Sequence, residues 1–132
     1  MAVTMSYPKA RDVLTKCIEI ARADSGTEKC VLPKDAVVIG VDVLQTAAAN
    51  AAATFDLGWS GSTTALLNAF AMATTAVGHV TAGAKAGASV GTKLDSDKTV
   101  LCTFGAGSST SGGTGYAFIK YFVPGPGETI TG

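Results

Sequence analysis

The sequence predicts an all-β domain, a jelly-roll-like antiparallel β-sandwich with one short helix. Several short apolar runs alternate in hydrophobicity with a period of two, as strands do when they bury one face. Segments rich in Gly, Pro, Ser and Thr separate these runs at the spacing that is typical of sandwiches and barrels. One further run has the spacing of a helix. With 132 residues, the chain is long enough to enclose one hydrophobic core.

The composition is that of a weakly charged globular domain. Hydrophobic residues make up 47% of the chain and charged residues 15%, against about 25% charged in typical domains. Ten basic side chains balance ten acidic ones, so the formal net charge is zero. This neutrality argues against nucleic acid and anionic membranes as partners. A surface with so little charge also favours self-association.

We divide the chain into an N-terminal arm (residues 1–15), a sandwich domain (16–127) and a C-terminal tail (128–132). The start of the sequence shows no apolar segment followed by a small-residue cleavage site, so we expect no secretory signal peptide. The longest apolar stretch, residues 65–77, is interrupted by polar side chains. It is also shorter than the roughly 20 residues that a membrane helix needs.

The first two strands are predicted at residues 16–21 and 29–32. Residues 16–21 (KCIEIA) alternate like an edge strand, although the apolar side chains of residues 13–21 also fit a helical spacing. We prefer the strand because residues 24–27 (DSGT) have the composition of a turn into the second run.

The strongest strand signal is residues 36–45, where β-branched side chains dominate. The alternation places four of them on one face: Val37, Ile39, Val41 and Val43. Residues 54–59 form the next predicted strand, with three large side chains on one side: Phe55, Leu57 and Trp59. We interpret the alanine-rich residues 46–53 as the connection between these two antiparallel strands. Residues 66–75 carry the short helix, because apolar side chains recur there at the third and fourth positions: Leu66, Leu67, Phe70, Ala71 and Thr74.

Residues 98–104 and 116–123 are the last two predicted strands. The first places three apolar side chains on one face: Val100, Cys102 and Phe104. The second is apolar on both faces except at Lys120, which indicates a central strand or one covered by a partner subunit. The Gly/Ser/Thr-rich residues 105–115 are predicted to join the two strands as a long hairpin loop, and Pro124 ends the last strand.

No catalytic or cofactor-binding arrangement is recognisable. Residues 107–114 resemble a phosphate-binding loop, but Gly113 stands where the loop requires lysine, and a strand follows instead of a helix. Ser60 lacks the spacing of a nucleophile elbow, and His79 is the single histidine that could serve as its base. We therefore expect no enzymatic activity and no cofactor.

We expect no metal site and no disulfide. Cys17, Cys30 and Cys102 show no CxxC spacing and are predicted to be free thiols, although Cys17 and Cys30 could pair if their strands are neighbours. Asp95 and Asp97 are interpreted as part of a solvated turn, with a calcium site in that loop as the alternative.

The order of strands and turns resembles a known family. Residues 32–43 (LPKDAVVIGVDV) give a proline-led turn and a Val/Ile strand, which is followed by residues 53–58 (ATFDLG). The lead-in LDSDKTV at residues 94–100 and the final GYAFIKYF at residues 115–122 complete the pattern. This order is similar to that of the small jelly-roll capsid decoration, or cement, proteins of tailed bacteriophages, over about residues 16–123.

The resemblance implies a homotrimer that is made in the host cytoplasm and sits on the outer surface of the phage head. There it would bridge neighbouring subunits of the major capsid protein, and it would have no catalytic residue. We expect five aromatic side chains to contribute to the subunit interface: Trp59, Tyr116, Phe118, Tyr121 and Phe122.

A glycan- or receptor-binding module of a phage tail or fibre is the alternative function. In that case Trp59, Tyr116 and Tyr121 would form a stacking platform for sugars, or the loop of residues 105–115 would be the recognition surface. We favour a packing role for the three aromatic residues, because all of them lie inside apolar strand patterns.

Overall fold

The computed structural model describes residues 12–21, 25–47, 54–71, 78, 80–81, 86–105 and 113–124. These residues form eight strands and no helix, as follows: β1 (Leu14–Ile20), β2 (Glu28–Leu32), β3 (Val37–Ala47), β4 (Thr54–Trp59), β5 (Ser62–Ala71), β6 (Val80–Thr81), β7 (Lys98–Gly105) and β8 (Thr114–Phe122). The predicted all-β class is therefore confirmed.

The strands form two four-stranded antiparallel sheets that pack face to face. The first sheet has the order β1-β8-β3-β6 and the second has the order β2-β7-β4-β5. The first strand pairs with the last, the second with the seventh, the third with the sixth, and the fourth with the fifth. This nested pairing of a folded-over chain is the topology of a jelly roll, so the predicted sandwich type is confirmed.

The core between the two sheets is built from the inward-facing residues of both. Phe55 on β4 is fully buried and lies at its centre. Its ring packs edge-to-face on Phe70 of β5 at 6.1 Å between centroids and stacks on Phe104 of β7 at 5.6 Å. The predicted inward faces of β4 and β7 are confirmed, since Leu57, Val100 and Cys102 are also fully buried.

The predicted helix at residues 66–75 is wrong over its described part. Residues up to Ala71 belong to β5, an edge strand paired with β4, and residues 72–75 lie outside the described residues. The register moves from Phe55↔Phe70 to Leu57↔Leu67, so β5 contains one extra residue, a β-bulge. The bulge places two core side chains three positions apart, which in the sequence imitates a helical spacing.

Backbone conformation and one side chain hold this bulge. Ala69 has a positive φ of 57°, an unusual conformation for a residue with a Cβ. The Ala69 amide donates a hydrogen bond of 2.7 Å to Oδ1 of Asp56 on β4. The outward-facing carboxylate of Asp56 thus accepts a hydrogen bond from a backbone amide that the hydrogen bonds between β4 and β5 do not include.

A second bulge corrects the predicted face of β3. The register moves from Val38↔Tyr121 to Gly40↔Lys120, which leaves Ile39 as the extra residue. The inward–outward alternation of side chains shifts by one residue at that point. Val38, Val41 and Val43 therefore face the core, while Ile39 is 47% exposed. The predicted grouping of Ile39 with Val41 and Val43 is therefore wrong, because simple alternation takes no account of an inserted residue.

Two of the predicted connections are also wrong. β3 pairs with β6 and β8, whereas β4 pairs with β5 and β7, so β3 and β4 belong to opposite sheets. The same holds for β7 and β8, so the loop between them does not close a hairpin. The predicted central position of the last strand is confirmed, because β8 lies between β1 and β3.

The described part of the β6–β7 connection closes one side of the sandwich. The amides of Gly87 and Ser89 donate to the carbonyl oxygens of Leu66 and Ala65 on β5, at 3.0 and 2.9 Å. The Gly91 amide then donates to the carbonyl of Val38 on β3 at 2.7 Å. The segment thus links β5 of one sheet to β3 of the other through backbone hydrogen bonds.

Candidate interaction surfaces

The outward side of β8 carries most of the aromatic residues that the sequence placed in an interface. We call Tyr116, Phe118, Lys120 and Phe122 the β8 outer face. Tyr116 is 36% exposed, and Phe118, Lys120 and Phe122 are half-buried by their neighbours on β1 and β3. The outer side of β8 is therefore apolar over much of its length, which is unusual for a strand side that faces away from the core.

One ion pair lies within this apolar surface. Nζ of Lys120 is 3.0 Å from Oδ2 of Asp42 on the neighbouring strand β3. Phe118 lies opposite Asp42 in the register, and Tyr116 lies opposite Leu44. The charge of Lys120 is thus compensated by Asp42 within the chain.

The other two predicted interface residues belong to the core. Tyr121 is 5% exposed and points between the sheets, and Trp59 is 9% exposed at the end of β4. Both pack against residues of their own chain. The interface hypothesis for β8 therefore depends on the side of the strand that carries Tyr116, Phe118 and Phe122.

Sequence reasoning missed a group of exposed apolar residues at one end of the first sheet. We call Val13, Leu14, Ile39 and Val123 the apolar rim. They are 52%, 47%, 47% and 39% exposed, and the described residues include six exposed large apolar side chains in all. Leu14 lies opposite Tyr121 of β8, and Ile39 is bulged out beside the same residue on the other side. The one feature of the sequence that pointed to this group was the run of three apolar residues at positions 37–39. A regular strand would have placed these residues alternately on its two faces.

Trp59 lies in a polar corner at the start of β7. Nζ of Lys98 is 5.5 Å from the Trp59 ring centroid, a cation–π contact, and 3.3 Å from Oδ1 of Asp95. Depressions of about 320 and 270 Å³ lie on either side of this pair. Since the ring is mostly buried and Lys98 lies above it, Trp59 offers little open surface on which a sugar could stack.

The interactions of Lys98 lower the pKa of Asp95 below its ordinary value. The largest cause is the side-chain hydrogen bond from Lys98, followed by the charge of Lys98 and a hydrogen bond from Ser96. A carboxylate whose pKa is lowered in the folded protein stabilises the fold at pH values above its ordinary pKa. This contribution is lost as the pH falls through the lowered pKa.

We therefore expect Lys98→Met to raise the pKa of Asp95 toward its ordinary value. An NMR titration of the Asp95 carboxyl carbon in both proteins measures this change. Lys93→Met is the matched control, because Nζ of Lys93 lies 3.9 Å from Asp35 and its removal should leave the Asp95 titration unchanged. An Asp95 titration curve that is identical in the wild type and Lys98→Met would contradict the assignment.

Asp97 has a structural contact in the same turn. Its Oδ1 accepts a hydrogen bond of 2.7 Å from the Lys34 amide, and the Asp35 amide donates to the Leu94 carbonyl at 2.9 Å. The turn between β2 and β3 is thereby tied to the lead-in of β7. No group of three or more metal-ligating side chains occurs among the residues that the structure describes, and His79 lies outside them.

The three cysteines are free thiols. Cys17 is exposed on β1 and Cys30 half-buried on β2, in opposite sheets, while Cys102 is buried on β7. Burial raises the pKa of Cys30, and the charge of Lys16 partly opposes this shift.

The described part of the chain also contains no helix that is long and apolar enough to cross a membrane.

Comparison with known proteins finds a match in fold. No protein-family profile matches the chain, and no curated protein matches its sequence. A chain of the cyanophage Pam1 capsid asymmetric unit matches with a TM-score of 0.66 and 18% sequence identity, over 94% of both chains. At this identity the match shows a common fold, and it extends over almost the whole length of both proteins.

Proposed function

We propose that this protein is a structural component of a phage virion, a capsid decoration or cement protein without enzymatic activity. It binds the outside of the head as a homotrimer and stabilises contacts between major capsid subunits. The observation that carries the proposal is the full-length fold match to a chain of a phage capsid asymmetric unit. The exposed apolar side chains and the zero net charge support it, because both favour assembly with protein partners.

A jelly roll of this kind can stabilise a shell by binding alone. A protein that binds the assembled lattice, and not the separate subunits, lowers the free energy of the closed shell by mass action. In a trimer, three weak contacts on a three-fold site act as one multivalent attachment. The chain therefore needs a rigid sandwich and suitable surfaces and no reactive group.

Cosedimentation tests the proposal directly. Purified protein is mixed with empty heads that were assembled from the major capsid protein alone, and in parallel with dissociated capsid subunits. We expect saturable binding to heads, weaker binding to subunits, and a higher temperature of head disruption in the presence of the protein. Absence of binding to heads, or binding without any change in disruption temperature, would contradict the cement function.

The glycan-binding alternative predicts a different result. Because Trp59 is the single tryptophan and lies beside the polar corner, its fluorescence would change on addition of a recognised sugar. We expect no change in Trp59 emission across a panel of bacterial surface oligosaccharides at millimolar concentration. A saturable change in Trp59 emission, together with sugar binding that Trp59→Phe weakens in titration calorimetry, would favour the recognition module.

A further inference from the structure

We propose that a hollow at the start of β8 binds an arginine side chain that a partner protein presents. The inference rests on the proposed function for the identity of that partner, the assembled capsid shell. We call Glu19, Ala21, Thr46, Thr114 and Tyr116 the Glu19 hollow. They line a depression of about 180 Å³ on the first sheet.

The hollow exists because long and short side chains lie next to one another on three adjacent strands. Ile18 and Ile20 of β1 are buried, so Glu19 between them points away from the core. Glu19 lies directly opposite Tyr116 of β8 in the register. The other three residues that define the hollow are short: Ala21, Thr46 and Thr114. They leave open space beside the carboxylate and the phenol ring.

The groups that line the hollow attract a cation. A carboxylate and the face of an aromatic ring both favour positive charge, and hydroxyl oxygens accept hydrogen bonds from N–H groups. The hydroxyl oxygens of Thr46 and Thr114 lie 2.8 Å apart. None of the described residues that line the hollow is basic. Among the described residues, no basic side chain forms an ion pair with Glu19, and Lys16 lies on the core-facing side of β1.

The size of the hollow and its single carboxylate favour a guanidinium group over other cations. Calcium requires about six to eight oxygen ligands, which one carboxylate and two hydroxyl groups do not supply. Pockets that enclose small molecules have volumes of about 300–1,000 Å³, so this hollow fits the end of a side chain instead. A guanidinium group can stack on the Tyr116 ring while its paired N–H groups donate to the Glu19 carboxylate.

The surface around the hollow favours a protein as the source of the arginine. Tyr116 belongs both to the hollow and to the β8 outer face, where the half-buried Phe118 is the next residue on the same side. An ion pair exposed to water contributes little to binding. Apolar side chains around a charged contact exclude water when two protein surfaces meet, and tyrosine and arginine are enriched at the centres of such interfaces. The β8 outer face would therefore surround the arginine contact.

Titration with N-acetyl-arginine amide tests the site without any capsid. NMR spectroscopy follows the Tyr116 ring and the Thr114 methyl group up to millimolar concentrations of this probe. We expect saturable changes in wild type, and at least tenfold weaker binding in Glu19→Gln. N-acetyl-citrulline amide has nearly the same shape without the charge and should cause no change. Glu28→Gln is the matched control, because Glu28 is also an exposed glutamate but lies on β2 in the opposite sheet.

Cosedimentation with empty heads tests the partner. We expect Glu19→Gln to bind heads about tenfold more weakly than wild type, and Glu28→Gln to bind them as wild type does. Circular dichroism checks that both variants keep the fold. Equal binding of wild type and Glu19→Gln to heads would overturn the assignment of the hollow to the shell, while the proposed function would stand.

The probe separates the remaining outcomes. If N-acetyl-arginine amide binds the hollow but wild type does not bind heads, the arginine site stands and the proposed function falls. No saturable change with the probe, or an equal change with N-acetyl-citrulline amide, would overturn the site itself. The two arginines of this chain, Arg11 and Arg22, lie outside the described residues. A response to the probe that occurs only in Arg22→Gln would mean that the chain fills its own hollow, which would also overturn the proposal.

Discussion

Phe55→Ala is expected to lower the free energy of unfolding by about 4 kcal/mol, because it removes a fully buried phenyl ring that contacts two others. This is a large part of the roughly 5–15 kcal/mol that stabilises a typical domain. Both Phe70 and Phe104 lose a ring partner, and a close-packed core relaxes only in part to fill the cavity. Urea denaturation followed by circular dichroism measures the change.

Phe118→Ala is the matched control for this prediction. At a protein concentration low enough to keep the chain monomeric, the same substitution on the β8 outer face removes a half-buried ring and creates no internal cavity, so we expect a loss of about 1 kcal/mol. If Phe55→Ala does not accumulate as folded protein, Phe55→Leu provides a milder test, with an expected loss of about 1–2 kcal/mol. Similar losses for Phe55→Ala and Phe118→Ala would contradict the position of Phe55 at the centre of the core.

Gly115→Ala is expected to cost about 3 kcal/mol, because a Cβ at this position would overlap the carbonyl oxygen of Leu44 on β3. Gly115 is buried at the start of β8, between Ile20 of β1 and Gln45 of β3. The close approach of β3 and β8 at this point therefore requires a residue without a side chain. Chemical denaturation of the purified variant measures the loss.

Gly40→Ala provides the control on the same pair of strands. A Cβ at Gly40 would lie 3.8 Å from Cε of Lys120, an ordinary van der Waals contact, so we expect a change within about 0.5 kcal/mol. Equal stability of the Gly115→Ala and Gly40→Ala proteins would show that β3 and β8 do not approach as closely as described.

The sequence carried enough information to place six of the strands and the inward faces of two of them. Strand β4 was predicted with its observed bounds, and its three large side chains all face the core. Both β4 and β7 keep a regular alternation on their inward face over the residues that pack on the core. Alternation is a local property, and a regular strand shows it whichever strands lie beside it.

The same reasoning failed where a strand contains an extra residue. In β5 the bulge at Asn68–Ala69 brought Leu67 and Phe70 to the same face, and the spacing was interpreted as a helix. In β3 the bulge at Ile39 inverted the predicted faces of every residue before it. A bulge is decided by hydrogen bonds to the partner strand and, at Ala69, by the carboxylate of Asp56, neither of which is visible in the local pattern.

The prediction of interface residues from the sequence was limited in the same way, because the local pattern does not show how a strand packs. The sequence indicated that the last strand is apolar on both faces, but it could not tell that Tyr121 points into the core while Phe118 and Phe122 point away from it. Apart from the apolar run at positions 37–39, it gave no sign of the apolar rim, whose members are as far apart in the chain as Val13 and Val123.

The sequence alone thus determined an all-β chain, the position of most of its strands and its lack of net charge, because each of these follows from composition or short-range periodicity. The tertiary structure decided which strands share a sheet, that successive strands β3 and β4 cross to opposite sheets, and which apolar residues stay exposed. These properties depend on hydrogen bonds and packing between residues far apart in the chain. Such long-range contacts form only when the whole jelly roll closes.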